Sequence, residues 1–332
     1  MKLIVLLDGR FKEIALAELL SLIELTGLKP SIKKKNQIVL IQSKDNAGKL
    51  IEFIHERAGL TRFVAEYLFE AKKTISEKQA KELNELIKGK AFRVRALKPG
   101  ERKKSHQSIE KKIAGKLTGK VSLEKPEIGL TALMIQNKML FCLNGKWRNS
   151  KAFLLRSDKF RPFKSPTTLE PGLARALVNL SRVNKDAKLL DCFCGAGGIL
   201  IEAGLIGCKA AGIELDERII DGCKKNLAFF GLKGIELINE DFLKARLAGK
   251  FDAVVTEPPY GRSASLFGYE LNELYEKAFD KIHGLLKPNG LLVITLPEAN
   301  KRLFKHRFNV LGHYKIRVHK SLEKNVFIAR KK

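Results

Sequence analysis

Residues 252–263 read Asp-Ala-Val-Val-Thr-Glu257-Pro258-Pro259-Tyr260-Gly-Arg-Ser. An apolar stretch runs into a rigid Pro-Pro turn with a carboxylate before it and an aromatic ring after it. These types at this spacing suit one task, the holding of a planar base that bears an exocyclic amine. The Glu257 carboxylate accepts a hydrogen bond from the amine, and the fixed proline φ angles aim a backbone carbonyl at the same nitrogen. The Tyr260 ring offers a stacking face. An aromatic amine is a poor nucleophile because its lone pair is delocalised into the ring. Acceptors on its hydrogens orient that lone pair toward an electrophile, and a carboxylate stabilises positive charge forming on nitrogen.

A second constellation lies upstream, in Leu189-Leu-Asp191-Cys-Phe193-Cys-Gly195-Ala-Gly197-Gly198-Ile-Leu-Ile-Glu202. It reads as a strand ending in an acid, then a glycine turn, then a helix. The glycines permit positive φ and close approach of a ligand to the backbone, and the helix start offers N–H donors to a carboxylate. Asp191 directly before the turn favours a ligand with an ammonium group, as S-adenosylmethionine has, and would repel a dinucleotide pyrophosphate. Asp191, Phe193, Gly195, Gly197 and Gly198 are the expected cofactor turn. Glu214, about 20 residues on, ends the next strand and can accept both ribose hydroxyls; Asp216 reads as the N-cap of the helix that follows. Asp241, after the third strand, can accept the adenine amine, with Phe242 against the ring. Ligands of parallel sheets bind at the edge where such strand-terminal acids collect.

The elements that must position these residues follow from residue 166 onward. Strands and helices alternate there, the mark of a parallel sheet with crossover helices. Helices are expected at 171–180, 198–205, 217–230 and 271–286, and strands at 188–192, 210–214, 235–238, 253–256 and 290–296. Apolar segments near 308–313 and 325–329 form a closing pair. The fold class is α/β, with a mostly parallel seven-stranded sheet. Upstream, 3–7 and 37–42 read as strands and 11–26 and 47–57 as helices, a small α+β unit. A second α+β unit has strand 91–96, with Phe92, Val94 and Ala96 on one face and Arg93 and Arg95 on the other. A basic loop (Lys98, Arg102, Lys103, Lys104), a helix at 105–117, and strands 128–135 and 138–143 turning at Gln136-Asn137 complete it. Residues 146–164 are basic and aromatic without clean periodicity, and read as a linker lying on the surface of the next domain.

The 332 residues carry 63 Lys and Arg against 36 Asp and Glu, a net charge of +27. The excess is uneven. Residues 1–164 hold 36 basic and 17 acidic side chains, and 90–164 hold 20 and 5. A polyanionic partner is expected, with Arg93, Arg95, Lys98, Arg102, Lys103, Lys104, Arg148, Arg156 and Arg161 as candidate nucleic-acid contacts. Five cysteines without paired Cys-x-x-Cys spacing read as free thiols in a reducing cytoplasm, with no metal site. No apolar run is long enough to span a membrane.

Taken together, these residues resemble the class I S-adenosylmethionine-dependent methyltransferases that act on exocyclic amines. Phe92-Arg-Val-Arg95, the helix at 108–117 and Val121-Ser-Leu-Glu-Lys-Pro126-Glu127 are similar to a THUMP RNA-binding domain. Arg161-Pro-Phe163, Pro166, Leu169, Pro171 and Leu173–Leu180, with Asp191–Glu202, Asn226-Leu227 and the tail Val318–Leu322, resemble the archaeal tRNA guanosine N2-methyltransferases. The resemblance implies a ferredoxin-like part at 1–58, THUMP at 59–145, a linker at 146–165 and a class I methyltransferase domain at 166–332. It implies methylation of a guanine N2 amine in tRNA, at position 10. A cytoplasmic monomer is expected. Alternatives are another tRNA or rRNA guanosine, or a tRNA-binding protein of impaired catalysis. The last arises because Glu257 stands where the family has Asp. Cys192 and Ala196 also depart, from Pro and Thr, without enlarging the turn.

Overall fold

The computed structural model describes residues 2–43, 47–72, 74–99, 106–165, 168–260, 269–319 and 322–332. Arg102, Lys103, Lys104, Pro166, the Gly261–Ser263 end of the turn and Lys320-Ser321 of the tail lie outside the described residues. In chain order the elements of the first half are β1 (Lys2–Leu7), α1 (Lys12–Leu25), β2 (Ser31–Lys35), β3 (Ile38–Gln42), α2 (Ala47–Arg57), β4 (Thr61–Ala71), α3 (Glu77–Ile87), β5 (Phe92–Leu97), α4 (Gln107–Ala114), β6 (Ile128–Ile135) and β7 (Lys138–Trp147). Those of the second are α5 (Ser150–Leu155), α6 (Pro171–Leu180), β8 (Lys188–Asp191), α7 (Gly198–Ile206), β9 (Lys209–Glu214), α8 (Glu217–Phe229), β10 (Glu236–Asn239), β11 (Phe251–Thr256), α9 (Leu271–Leu285), β12 (Leu286–Leu296), β13 (Phe308–His319) and β14 (Leu322–Lys331).

The chain divides into two compact units. The first is built on one seven-stranded sheet in the order β2-β3-β1-β4-β7-β6-β5. Its pairings are antiparallel except for β5 with β6. The sequence suggests two separate α+β parts in this half. The structure instead runs the long strand β4 between β1 and β7, so a single sheet spans both. One apolar cluster gathers Ile4, Leu6, Phe63, Leu133 and Cys142; another gathers Leu83, Ile87, Phe92, Val94, Ile113 and Phe141. The β5 alternation is as expected: Phe92, Val94 and Ala96 are buried and Arg95 is exposed. Ile135 pairs with Lys138 across the two-residue Gln136-Asn137 turn.

The second unit holds the α/β sheet, ordered β10-β9-β8-β11-β12-β14-β13. The pairings from β10 through to β12 are parallel; β14 runs antiparallel to β12, and β13 to β14. Val254, Val255, Leu292 and Val293 are fully buried, as strands covered on both faces must be. Chain order reverses between β8 and β11, the kind of crevice in which open α/β sheets bind ligands. Asp191 ends β8 and Glu257 follows β11, so both chemistry-bearing turns open onto that point.

This unit also contains helix α1 and residues 57–60, far away in sequence. The attachment is polar and buried. Glu18, fully buried, accepts hydrogen bonds from Gly59 N (2.7 Å), Leu60 N (2.8 Å) and Asn179 Nδ2 (2.7 Å). Asn179 Oδ1 in turn accepts from Arg57 Nε at 2.9 Å. Residues 149–165 belong here too: α5 and a 3₁₀ turn at Asp158–Phe160 lead Arg156, Arg161 and Phe163 into contacts with α7 and α8.

Candidate active site

Asp191 is buried at the end of β8, and the Thr256 hydroxyl on β11 donates to its Oδ1 at 2.8 Å. Burial pushes its carboxyl up to about 7, and the charges of Glu257 and Glu214 add to the rise. These effects place the three acids in one neighbourhood. A carboxyl held in this way is completed by a cation, which stabilises its ionised form. Gly195 follows with φ +50° and open space where a side chain would stand, so backbone is exposed to a ligand there. Gly197, at φ +83°, lies so close to Cys223 that a Cβ would meet its Sγ at 2.6 Å. Both the turn conformation and its packing therefore demand glycine.

Glu214 ends β9, and its carboxylate accepts from Gly195 N (3.1 Å) and Asp216 N (3.0 Å), tying the second acid to the glycine turn. Asp216 caps α8 through the N–H groups of Arg218 and Ile219, as its position suggests. Asp241 Oδ1 accepts from Leu243 N at 2.9 Å, and its Oδ2 from the Tyr269 hydroxyl at 2.8 Å. Phe242 is buried in the core and meets Phe193 edge-on, with ring centroids 5.5 Å apart. Phe193 is the only partly buried ring of the pair, and so the one with surface to offer an adenine. The acids, the open glycine and the half-covered ring suit S-adenosylmethionine, whose ammonium, ribose and adenine need acceptors and an apolar face.

At the Pro-Pro turn, Glu257 Oε1 accepts from both the Tyr260 hydroxyl and the Lys324 ammonium. Lys324 comes from β14, is 7% exposed, and stands 5.3 Å from the Tyr260 ring centroid. The Tyr260 hydroxyl also reaches Thr295 Oγ1 at 3.3 Å, and burial beside Glu257 raises its pKa. The Tyr275 hydroxyl donates to the Pro259 carbonyl at 2.8 Å, anchoring the turn to α9. The carboxylate is thus fixed by an ion pair and a phenol.

The RMKL-like methyltransferase domain family matches residues 158–323. A tRNA (guanine(10)-N2)-dimethyltransferase of Pyrococcus abyssi is 31% identical over 96% of this chain and 97% of its own length. The chain belongs to the tRNA (guanine(10)-N2)-dimethyltransferase family. The Methanothermobacter thermautotrophicus member is 37% identical over 61% of each chain. The crystal structure of TrmN from Thermus thermophilus covers 100% of both chains with a TM-score of 0.58 at 19% identity, a likeness of fold. The protein is an enzyme of the class I methyltransferase fold, and S-adenosylmethionine is its cofactor.

Within this family member the basic candidates separate. Arg93 and Arg95 line a cavity of about 710 Å³ between β5 and α4, with Gln107 and Lys111. Lys98 is exposed just beyond the end of β5. Three others are corrected by burial. Arg148 lies 3.9 Å from Asp8 with its side chain 15% exposed. Arg156 gives a two-pronged contact to buried Glu202, Nε at 2.7 Å and Nη2 at 3.2 Å. Arg161 is 2% exposed. Guanidiniums so enclosed are unavailable to an RNA backbone.

Lys324, Thr256 and Thr295 escape a reading of the sequence, because a lysine or threonine in a strand looks like a solvent-facing residue. Asn226 stands out in the sequence only as part of a motif. It receives the Phe163 N–H (2.9 Å) and donates to the carbonyls of Phe163 (3.1 Å) and Ala196 (3.0 Å), joining the entry segment to the glycine turn. All five cysteines are free and buried. Among the described residues, no helix is long and apolar enough to cross a membrane.

Proposed function

We propose that this chain methylates the exocyclic N2 amine of the guanosine at position 10 of tRNA, once or twice. The observation that carries the reading is the Glu257-Pro-Pro-Tyr260 turn standing beside Asp191 at the reversal of the sheet. The cofactor supplies an electrophilic methyl group. Asp191 holds its ammonium, Glu214 its ribose and Asp241 its adenine amine.

Glu257 and the Pro258 carbonyl are the acceptors assigned to the two amine hydrogens; the Pro259 carbonyl is already engaged by Tyr275. Two acceptors turn the nitrogen lone pair out of conjugation and toward the methyl group. As the new N–C bond forms and the methyl–sulfur bond breaks, leaving a neutral thioether, positive charge passes to nitrogen beside the Glu257 carboxylate, which would then accept the departing proton. The ion pair with Lys324 fixes Glu257 for this task. That fixing favours a site adapted to glutamate over a binding protein crippled by it.

The first unit is the tRNA-holding part in this reading, supported by its charge and by the arginines of β5. The target base must leave its stack to reach Tyr260. The reading places the enzyme in the cytoplasm with its substrate. Unmodified tRNA transcripts, labelled S-adenosylmethionine and nucleoside mass spectrometry test it. N2-methylated guanosine is expected, and lost when guanosine 10 is replaced. Methylation that persists on the replaced transcript would assign another site, and a wholly unmethylated transcript would refute the reading.

A further inference from the structure

Lys324 stands where a strand has little use for a lysine. β14 runs antiparallel to β12, and Asn325 pairs with Leu296, the last residue of β12. The start of β14 therefore lies at the edge of the sheet where the parallel strands end, the edge at which β8 gives Asp191 and β11 leads into Glu257. Lys324, Val326 and Ile328 alternate onto one face of β14, and all three are buried. An ammonium at the end of an apolar row costs free energy unless polar partners await its tip.

Holding Glu257 accounts for only part of that tip. The ammonium carries three N–H donors and gives one to Glu257 Oε1. The Tyr260 hydroxyl already donates to the same oxygen and reaches Thr295 Oγ1 at 3.3 Å, so the carboxylate is anchored without the lysine. Among the described residues, the ammonium has no second acceptor and Glu257 Oε2 has no donor. Lys324 Nζ is 5.3 Å from the Tyr260 ring centroid. Because it shares Oε1 with the hydroxyl, it lies toward the hydroxyl end of the ring.

Three polar groups thus stand in a fixed order. Oε2 is an open acceptor, Oε1 is a second acceptor, and the ammonium bonded to Oε1 is a donor with hydrogens to spare. The pairing edge of guanine runs in the complementary order, since its N2 amine and N1–H donate and its O6 accepts. Adenine carries a bare C–H at position 2, an acceptor at N1 and an amine at position 6, and so opposes the row. A base drawn out of its stack is read along this edge.

We propose, on the guanine-N2 reading of the site, that Lys324 donates to O6 of the target guanine while Glu257 takes its N2 amine. The ion pair then selects the base as well as fixing the carboxylate. Lys324 is a specificity-determining residue, and its loss costs discrimination at position 6 of the purine beyond any loss of rate.

The test uses the full chain and two tRNAs assembled from synthetic halves, with guanosine or 2,6-diaminopurine riboside at position 10. The second base keeps the N2 amine and replaces O6 by an amine, which meets the ammonium donor to donor. It also lacks the N1 hydrogen, but that difference faces Glu257 and persists in every Lys324 variant. The wild-type chain is expected to favour guanosine in kcat/KM for methyl transfer. Lys324→Met should narrow that preference by about 10-fold or more, the scale of one hydrogen bond to a charged group. Lys324→Arg keeps a charged donor and should hold the preference. Lys324→Gln, whose amide oxygen can turn to an amine, should narrow it too, and carries the test should the methionine variant misfold. An equal loss on both tRNAs in the methionine and glutamine variants would overturn the proposal, leaving Lys324 as a prop for Glu257. So would a wild-type chain that methylates both bases alike. A wild-type chain that methylates neither would instead defeat the guanine-N2 reading itself.

Discussion

The glutamate at position 257 is the residue that most sharply distinguishes this chain from the Asp expected at the head of such a turn. Seen in the sequence alone it raises a damaged site as an alternative to an active one. In the structure its length is used: the extra methylene carries the carboxylate to the Lys324 ammonium and the Tyr260 hydroxyl, both on Oε1. Lys324 is 7% exposed, and this carboxylate is its ion-pair partner. Glu257→Asp would draw the carboxylate back and leave that lysine unpaired. We expect kcat for methyl transfer to fall by roughly 10²-fold, the scale set by a 1 Å misplacement, with the KM for S-adenosylmethionine little changed. Steady-state kinetics on tRNA transcripts check this. A rise in kcat would mean that the glutamate is a defect after all, and that the Lys324 contact is incidental.

Among the elements, α1 does the least expected thing, because it belongs to the second unit although the strands on either side of it belong to the first. The reason is Glu18. Three donors converge on a carboxylate that has no access to water, and burial raises its pKa. Glu18→Leu keeps the apolar bulk and strands Gly59 N, Leu60 N and the Asn179 amide. Leaving such groups unpaired costs about 3–5 kcal/mol in total, so a lower midpoint is expected for the second unit in denaturant titration, with Glu18→Gln intermediate. An unshifted midpoint for Glu18→Leu would show the knot to be inessential. The sequence did not reveal this, since pairing across 161 residues leaves no periodic trace. It did reveal the α/β half, because parallel strands buried on both faces form apolar runs between glycine and acidic turns. Strand β4 stayed hidden for a physical reason: two register shifts against β7 break its alternation. Helix α3 offers only Ala80, Leu83 and Ile87 to the core, although the capping box of Ser76 and Gln79 marks its start. The strand-end acids were legible because the glycine turn orders them. The groups that hold them, Thr256, Tyr269 and Lys324, were not, since each arrives from another strand or helix.

Across the whole molecule, charge divides the labour. The cofactor and base turns lie in the second unit, while the basic excess is concentrated toward the start of the sequence, where residues 1–164, some of which belong to that same unit, carry 36 of the 63 basic side chains against 17 acidic ones. Part of that excess is spent internally, as Arg148, Arg156 and Arg161 show, so net charge overstates the surface available to RNA. Arg95 is a better guide. It is exposed on β5, and partial burial of its guanidinium, with the like charge of Arg93 in second place, lowers its pKa. Neighbouring cations of this kind are relieved by a polyanion. If Arg95 contacts a tRNA phosphate, each such contact adds about one unit to the slope of log K against log salt. Arg95→Ser should therefore weaken tRNA binding at low salt, lower that slope by about one, and leave S-adenosylhomocysteine binding unaltered. Titrations of the full chain with tRNA at several salt concentrations read all three. A weaker affinity with an unchanged slope would mean that Arg95 acts through the fold of β5 and not through phosphate. An unchanged affinity would move the RNA-holding surface away from this strand, to the other basic faces of the first unit.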